Sequence, residues 1–135
     1  MRNLEELVNN HKARTSPVDY DAINALVTKI GFTLSDEYKD FLNTFGVIVY
    51  NSNEVYGLGV PGDYYLNVFN KYLDLSRDAS YPQDSVPLID VGDGQYYLYN
   101  NNTQKVQLWA TPHGGTVRIL DDSLESFLIR LLFKE

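Results

Sequence analysis

Ile30 to Gly46, IGFTLSDEYKDFLNTFG, is the most tightly specified segment of the chain. Tyr38, Phe41, Leu42 and Phe45 fall at i, i+3, i+4 and i+7, one face of an α-helix, while Asp36, Glu37, Lys39, Asp40 and Asn43 take the other. Ser35 stands where an N-cap side chain accepts an orphan N–H of the first turn, and Asp36 and Glu37 set negative charge against the positive end of the dipole. Gly46 can take the left-handed conformation that ends a helix. The spacing therefore predicts a helix between Ser35 and Gly46 with one face in a core.

Toward the N-terminus the same period recurs at Leu4, Leu7, Val8 and His11, and again at Ile23, Leu26, Val27 and Ile30. Ser16-Pro17 offers a break and a cap between the two, and Gly31 offers a stop. Three amphipathic helices are expected to open the chain, the first of them short.

Beyond Gly46 the period changes to two. VIVY from Val47 and EVYGLG from Glu54 are separated by Asn51-Ser52-Asn53 and read as a hairpin. Tyr65, Val68, Phe69 and Tyr72 return to helical spacing after Pro61-Gly62-Asp63, which predicts a helix near Tyr64 to Asp78 with Asp63 as its cap. Ala79 to Val86 reads as a loop, and then PLIDV, QYYLYN, KVQLWA and TVRIL follow as strands. Gly92-Asp93-Gly94, Asn101-Asn102-Thr103 and Pro112-His113-Gly114-Gly115 separate them with turn chemistry that suits an antiparallel meander. Leu124, Phe127, Leu128 and Leu131 close the chain on a helix, with Asp122 and Glu125 at capping-box spacing. The expected class is α+β: a single antiparallel or mixed sheet of about six strands packed against N-terminal, central and C-terminal helices, in one domain over residues 1–135.

The bulk numbers agree with a folded domain, at 135 residues, 44% hydrophobic and 21% charged. The chain has no cysteine, so disulfides, thiol nucleophiles and thiolate metal sites are excluded together. No apolar run approaches a bilayer span, and the first residues lack the apolar core of a signal peptide, so the expected compartment is the cytoplasm. The net charge is −7, and between Lys39 and Lys105 eight acids face only Lys71 and Arg77, which places six of those seven charges in the middle of the chain. Such a field repels nucleic acid and anionic membranes and favours a basic partner, though acidity also simply keeps proteins soluble.

Standard catalytic motifs are missing. No serine sits in a Gly-x-Ser-x-Gly elbow, and no phosphate-binding glycine motif opens a helix. Asp121-Asp122 are paired acids at a helix start, where the dipole accounts for them. Neither His11, at the end of an apolar stripe, nor His113, in a glycine turn, has metal-motif neighbours. Asp90-Val91-Gly92-Asp93-Gly94 resembles an oxygen-rich loop but lacks the closing glutamate of a calcium loop, so a hairpin turn is the expectation. The reading is a protein without enzymatic activity, metal or cofactor.

What remains is aromatic surface mixed with acid. There are 11 tyrosines, and the doublets Tyr64-Tyr65 and Tyr96-Tyr97 turn one member of each pair away from its neighbour. Tyr56, Tyr64, Tyr97, Tyr99 and Trp109 cannot all be buried without partners for their polar atoms, and Tyr and Trp anchor protein interfaces.

Ile30-Gly31, then Leu34 and Ser35 before Asp36-Glu37, then Tyr38-Lys39 with Phe41-Leu42 and a closing Phe45-Gly46, resembles the opening signature of the SUKH superfamily. That superfamily includes bacterial toxin-immunity proteins and fungal cell-wall signalling proteins. Its members commonly carry Leu-Pro where this chain has Leu34-Ser35, a mild departure because Pro suits a first turn and Ser its cap. The likeness continues at Glu54 to Gly57, Pro87 to Gly94, Gln95 to Tyr99, Trp109 and SLESFLIRLL, so it covers most of the chain and rests on the order of the pieces. The resemblance implies an immunity protein that occludes a cognate toxin domain, of basic, nuclease type. A scaffold or signalling module and a small-ligand or peptide sensor stand as alternatives. Charge and aromaticity nominate Glu54, Tyr56, Asp63, Tyr64, Asp90, Asp93, Tyr97 and Trp109 as the partner-binding residues.

Overall fold

The structure, a computed structural model, describes residues 1–112 and 114–134. His113 lies outside the described residues. The helix of the most tightly specified segment, α3, runs Asp36–Thr44. Before it come α1 (Arg2–Asn10), a two-residue strand β1 (Arg14–Thr15) and α2 (Tyr20–Ile30). After it come β2 (Ile48–Tyr50), β3 (Asn53–Val55), α4 (Val68–Leu75), β4 (Ser85–Gly92), β5 (Gln95–Asn100), β6 (Lys105–Ala110), β7 (Gly115–Ile119) and α5 (Leu124–Phe133).

The class is α+β as expected, but the strands form two sheets rather than one of about six. β1, β2 and β3 make one antiparallel sheet and β4 to β7 make an antiparallel meander. Among the described residues one backbone hydrogen bond links them, just past β3, from Tyr56 N–H to the Leu88 carbonyl at 2.8 Å. The ladder stops there because the next residue turns away: Gly57 N–H goes to the Leu66 carbonyl, and the Gly57 carbonyl accepts from Val68 N–H.

Those bonds also delay α4. They pin residues 66–68 beside Gly57 in an extended path, so the helix starts at Val68 rather than near Tyr64. Its cap is Asn67, whose side chain accepts from Asn70 N–H at 3.0 Å, and not Asp63. Two other caps move in the same way: Asp19 caps α2 in place of Ser16, and Ser123 caps α5 while Asp122 pairs with Arg130 instead. The expected stop at Gly31 is present, at φ 82°.

Two cores lie on opposite faces of the meander. Tyr99, Val106 and Val86 face the main core with Phe41, Leu42 and Phe127, while Trp109 and Leu98 face a second core with Leu75. Ser35 ties the main core together. Its hydroxyl oxygen accepts from Tyr38 N–H at 3.1 Å and bonds the Tyr99 hydroxyl at 2.7 Å. Tyr99 donates to Glu37 at 2.9 Å, and the other Glu37 oxygen receives Leu124 N–H at the start of α5. One capping serine and one carboxylate thus join α3, β5 and α5.

Burial holds the Tyr38 phenol above its ordinary range, with the nearby Tyr99 adding to the effect. Tyr99 is raised chiefly by burial, against the Ser35 bond and with help from Glu37. A raised phenol stabilises the fold fully below the unfolded value of about 10 and loses that contribution as pH rises. Above about pH 10 the unfolded chain sheds protons that the folded chain keeps, costing about 1.4 kcal/mol per phenol per pH unit. Thermal melts should therefore hold level to about pH 10 and then fall steeply; a midpoint unchanged through about pH 11 would contradict this burial.

Candidate partner-binding surface

β3 and the end of β4 are brought side by side by the Tyr56–Leu88 bond, and that contact gathers the acids. Glu54, Tyr56 and Asp90 line one small pocket with Ser52, Tyr65 and Leu66, about 120 Å³ in volume. Glu54 accepts a bond from the Tyr65 hydroxyl, and Asp90 accepts from Gly92 N–H at 2.8 Å. Burial pushes the Tyr56 phenol up, and the charge of Asp90, then Tyr96, Glu54 and Asp74, pushes it further. Glu54 and Asp90 thus share the pocket with Tyr56, and Asp74 of α4, outside the pocket, adds its charge from a distance.

The surface continues onto the loop that precedes α4. Tyr65 is 53% exposed and its ring lies 4.6 Å from that of Tyr64, itself 41% exposed. On the sheet, Asp90 sits directly opposite Tyr96 in the β4–β5 register. Lys71 holds its ammonium 5.1 Å from the centre of the Tyr96 ring and 3.4 Å from Asp74, so one basic residue of the region is already engaged. Past it, a larger cleft of about 780 Å³ opens between the end of α4 and the far end of the meander, lined by Asp74, Arg77, Ser80, Tyr96 and Thr111 among others.

Of the residues nominated from sequence, the structure joins Glu54, Tyr56 and Asp90, with Tyr64 adjacent through Tyr65. Asp63 is exposed on the preceding loop and Asp93 at the tip of the β4–β5 turn. Tyr97 lies on the other face, 4.8 Å from the Phe127 ring of α5, and Trp109 is wholly buried. Those two are therefore removed from this surface: strand alternation sends Tyr97 under a helix, and Trp109 is covered by Tyr81 and Leu75. The residues that sequence reasoning missed are Tyr65, Tyr96, Asp74 and Lys71. Tyr65 and Tyr96 are the other halves of the two doublets; regular pairing counted back from Gly92 sets Tyr97 opposite Asp90, and it is the register shift between Asp90 and Gly92 that brings Tyr96 there, a non-local feature the residues do not announce.

The Asp90–Gly94 segment is a hairpin end, with Gly92, Asp93 and Gly94 all at positive φ. Among the described residues no group of three metal-ligating side chains comes together, and no helix is long and apolar enough to cross a membrane. His11 lies at the surface rather than within the apolar stripe, its ring stacked 4.7 Å from Phe133.

A SUKH family model, described as SMI1-KNR4 cell-wall, matches residues 2–133. No curated protein matches the chain.

Proposed function

The chain belongs to the SMI1-KNR4 family of the SUKH superfamily, and on that premise we propose that it is an immunity protein, a single domain without catalysis that binds and neutralises a cognate toxin. The observation that supports this reading is the grouping of Glu54 and Asp90 around Tyr56 in one pocket, flanked by exposed Tyr64 and Tyr65. A nuclease must offer positive charge to phosphate, so an acidic inhibitor can occupy the same groove in place of substrate. Charge sets the approach and register, and the tyrosines supply residence time. The contact should bury on the order of 1,200–2,000 Å² in total.

A toxin domain encoded beside this gene, induced with and without this chain in the same cell, tests the proposal. Growth should be rescued by the wild-type chain and lost with the double reversal Glu54→Lys and Asp90→Lys. Rescue undiminished by that reversal would remove this surface from the account.

The 780 Å³ cleft favours a second reading, a small-ligand or peptide sensor, because its volume falls within the range of about 300–1,000 Å³ typical of ligand sites. Binding that survives high salt and maps to Tyr96 and Thr111 would select it.

A further inference from the structure

The pocket between Glu54 and Asp90 differs from the large cleft in size and in sign. At about 120 Å³ it has room for about four waters at about 30 Å³ each, too little for a free ligand but enough for the end group of one side chain. Two of its six lining residues are carboxylates and none is basic. The Tyr65 hydroxyl holds one oxygen of Glu54, and Gly92 N–H holds one oxygen of Asp90, which leaves the second oxygen of each to accept. Tyr56 supplies the independent sign of a missing partner. It is 5% exposed and lines the pocket, yet its hydroxyl makes no hydrogen bond to any described residue. Its oxygen is not sealed from solvent, so the accessible tip of this otherwise buried side chain is presented to the pocket, where a donor from a partner could meet it in place of water.

The geometry points to this pocket as the receptor for one arginine side chain of the protein partner, its guanidinium spanning Glu54 and Asp90 and donating to the Tyr56 oxygen. Arginine has five donors and no acceptor, and this pocket is lined by two carboxylates and the Tyr56 phenol oxygen. The Tyr65 ring flanks the entry, where a guanidinium can also stack. This inference rests on the proposed function, and it names the group that anchors the partner.

The test uses the full chain and a capped arginine, N-acetyl-arginine N-methylamide, followed by amide shifts in nuclear magnetic resonance. Shifts should be confined to Ser52, Glu54, Tyr56, Tyr65, Leu66 and Asp90. Capped lysine should bind several-fold more weakly and capped norleucine not at all. Glu54→Gln and Asp90→Asn should each weaken arginine by about tenfold, the loss of one charge-assisted bond, while Asp63→Asn, an equal charge change outside the pocket, should leave it unaltered. Tyr56→Phe should weaken arginine without lowering the melting temperature, because the hydroxyl it removes is unbonded in the free protein. Shifts spread evenly over the acidic surface, or an Asp63→Asn effect equal to that of Asp90→Asn, would overturn the pocket and leave the charged-surface reading standing. No shift with either basic probe would also overturn the pocket, and the growth-rescue experiment would then decide the surface separately.

Discussion

Gly46→Ala should remove most of the protein's stability, with an expected loss above about 4 kcal/mol, in the range reserved for severe core or backbone conflicts. Gly46 sits at φ 70°, and a Cβ there would lie 1.8 Å from the Ser16 carbonyl oxygen and 2.9 Å from that of Leu58. Neither neighbour can retreat cheaply. Ser16 N–H bonds the Phe45 carbonyl at 2.7 Å, and Leu58 N–H bonds the Gly46 carbonyl at 3.0 Å, so the backbone that must move is tied to the residue that pushes it. Gly57 meets the same crossing from the other side, its own added Cβ falling 1.6 Å from the Gly46 oxygen. Gly31→Ala is the control: it too has positive φ, 82°, but nothing stands within 4 Å, so it should cost only about 1–2 kcal/mol of left-handed strain. Urea unfolding followed by Trp109 fluorescence measures both. Equal losses at the two glycines would contradict the close crossing of residues 16, 46 and 57.

Trp109→Ala is the second large effect, expected to cost about 3–5 kcal/mol. Trp109 is fully buried and central to the smaller core, with Leu75 from α4 and Leu98 from β5. The Tyr81 ring meets it edge-on at 5.2 Å, and its indole N–H reaches Ser80 Oγ at 3.1 Å and the Ser80 carbonyl at 3.2 Å. Removing it opens a cavity and frees the segment after α4 from the sheet. That segment borders the surface carrying Asp74 and Tyr96, so partner binding should fall together with stability. Tyr97→Ala lies on the opposite face, against Phe127, and should spare binding while still costing stability. Unfolding followed by circular dichroism checks the pair; a loss below about 1 kcal/mol for Trp109→Ala would mean that the second core contributes little.

Helix α3 was legible because every local signal agreed. Ser35 does cap it, Tyr38, Phe41, Leu42 and Phe45 are all buried, and Gly46 ends it at positive φ. The meander was legible for the same reason, since its turn residues and its alternation are local. What the residues could not announce is non-local. Gly57 pairs with Leu66 and Val68, and that pairing alone splits the sheet and shifts the cap of α4 from Asp63 to Asn67. Trp109 looked like a surface anchor because a lone strand implies one open face. In β6, however, Val106, Gln107, Leu108 and Trp109 are buried in succession, since helices cover one face and the α4 segment the other. Glu54 and Asp90 are far apart in sequence and meet only through the Tyr56–Leu88 bond, so charge could nominate both without showing that they share a pocket.

The decisive measurement is titration calorimetry between this chain and any candidate toxin domain found encoded beside its gene, repeated from about 0.1 to about 1 M salt, which shortens the Debye length from about 10 to about 3 Å. Binding should be tight at low salt and weaken by about tenfold or more over that range, with a further loss of at least about tenfold for Asp90→Lys at low salt. Affinity that is indifferent to salt and unchanged by Asp90→Lys would contradict the acidic binding surface.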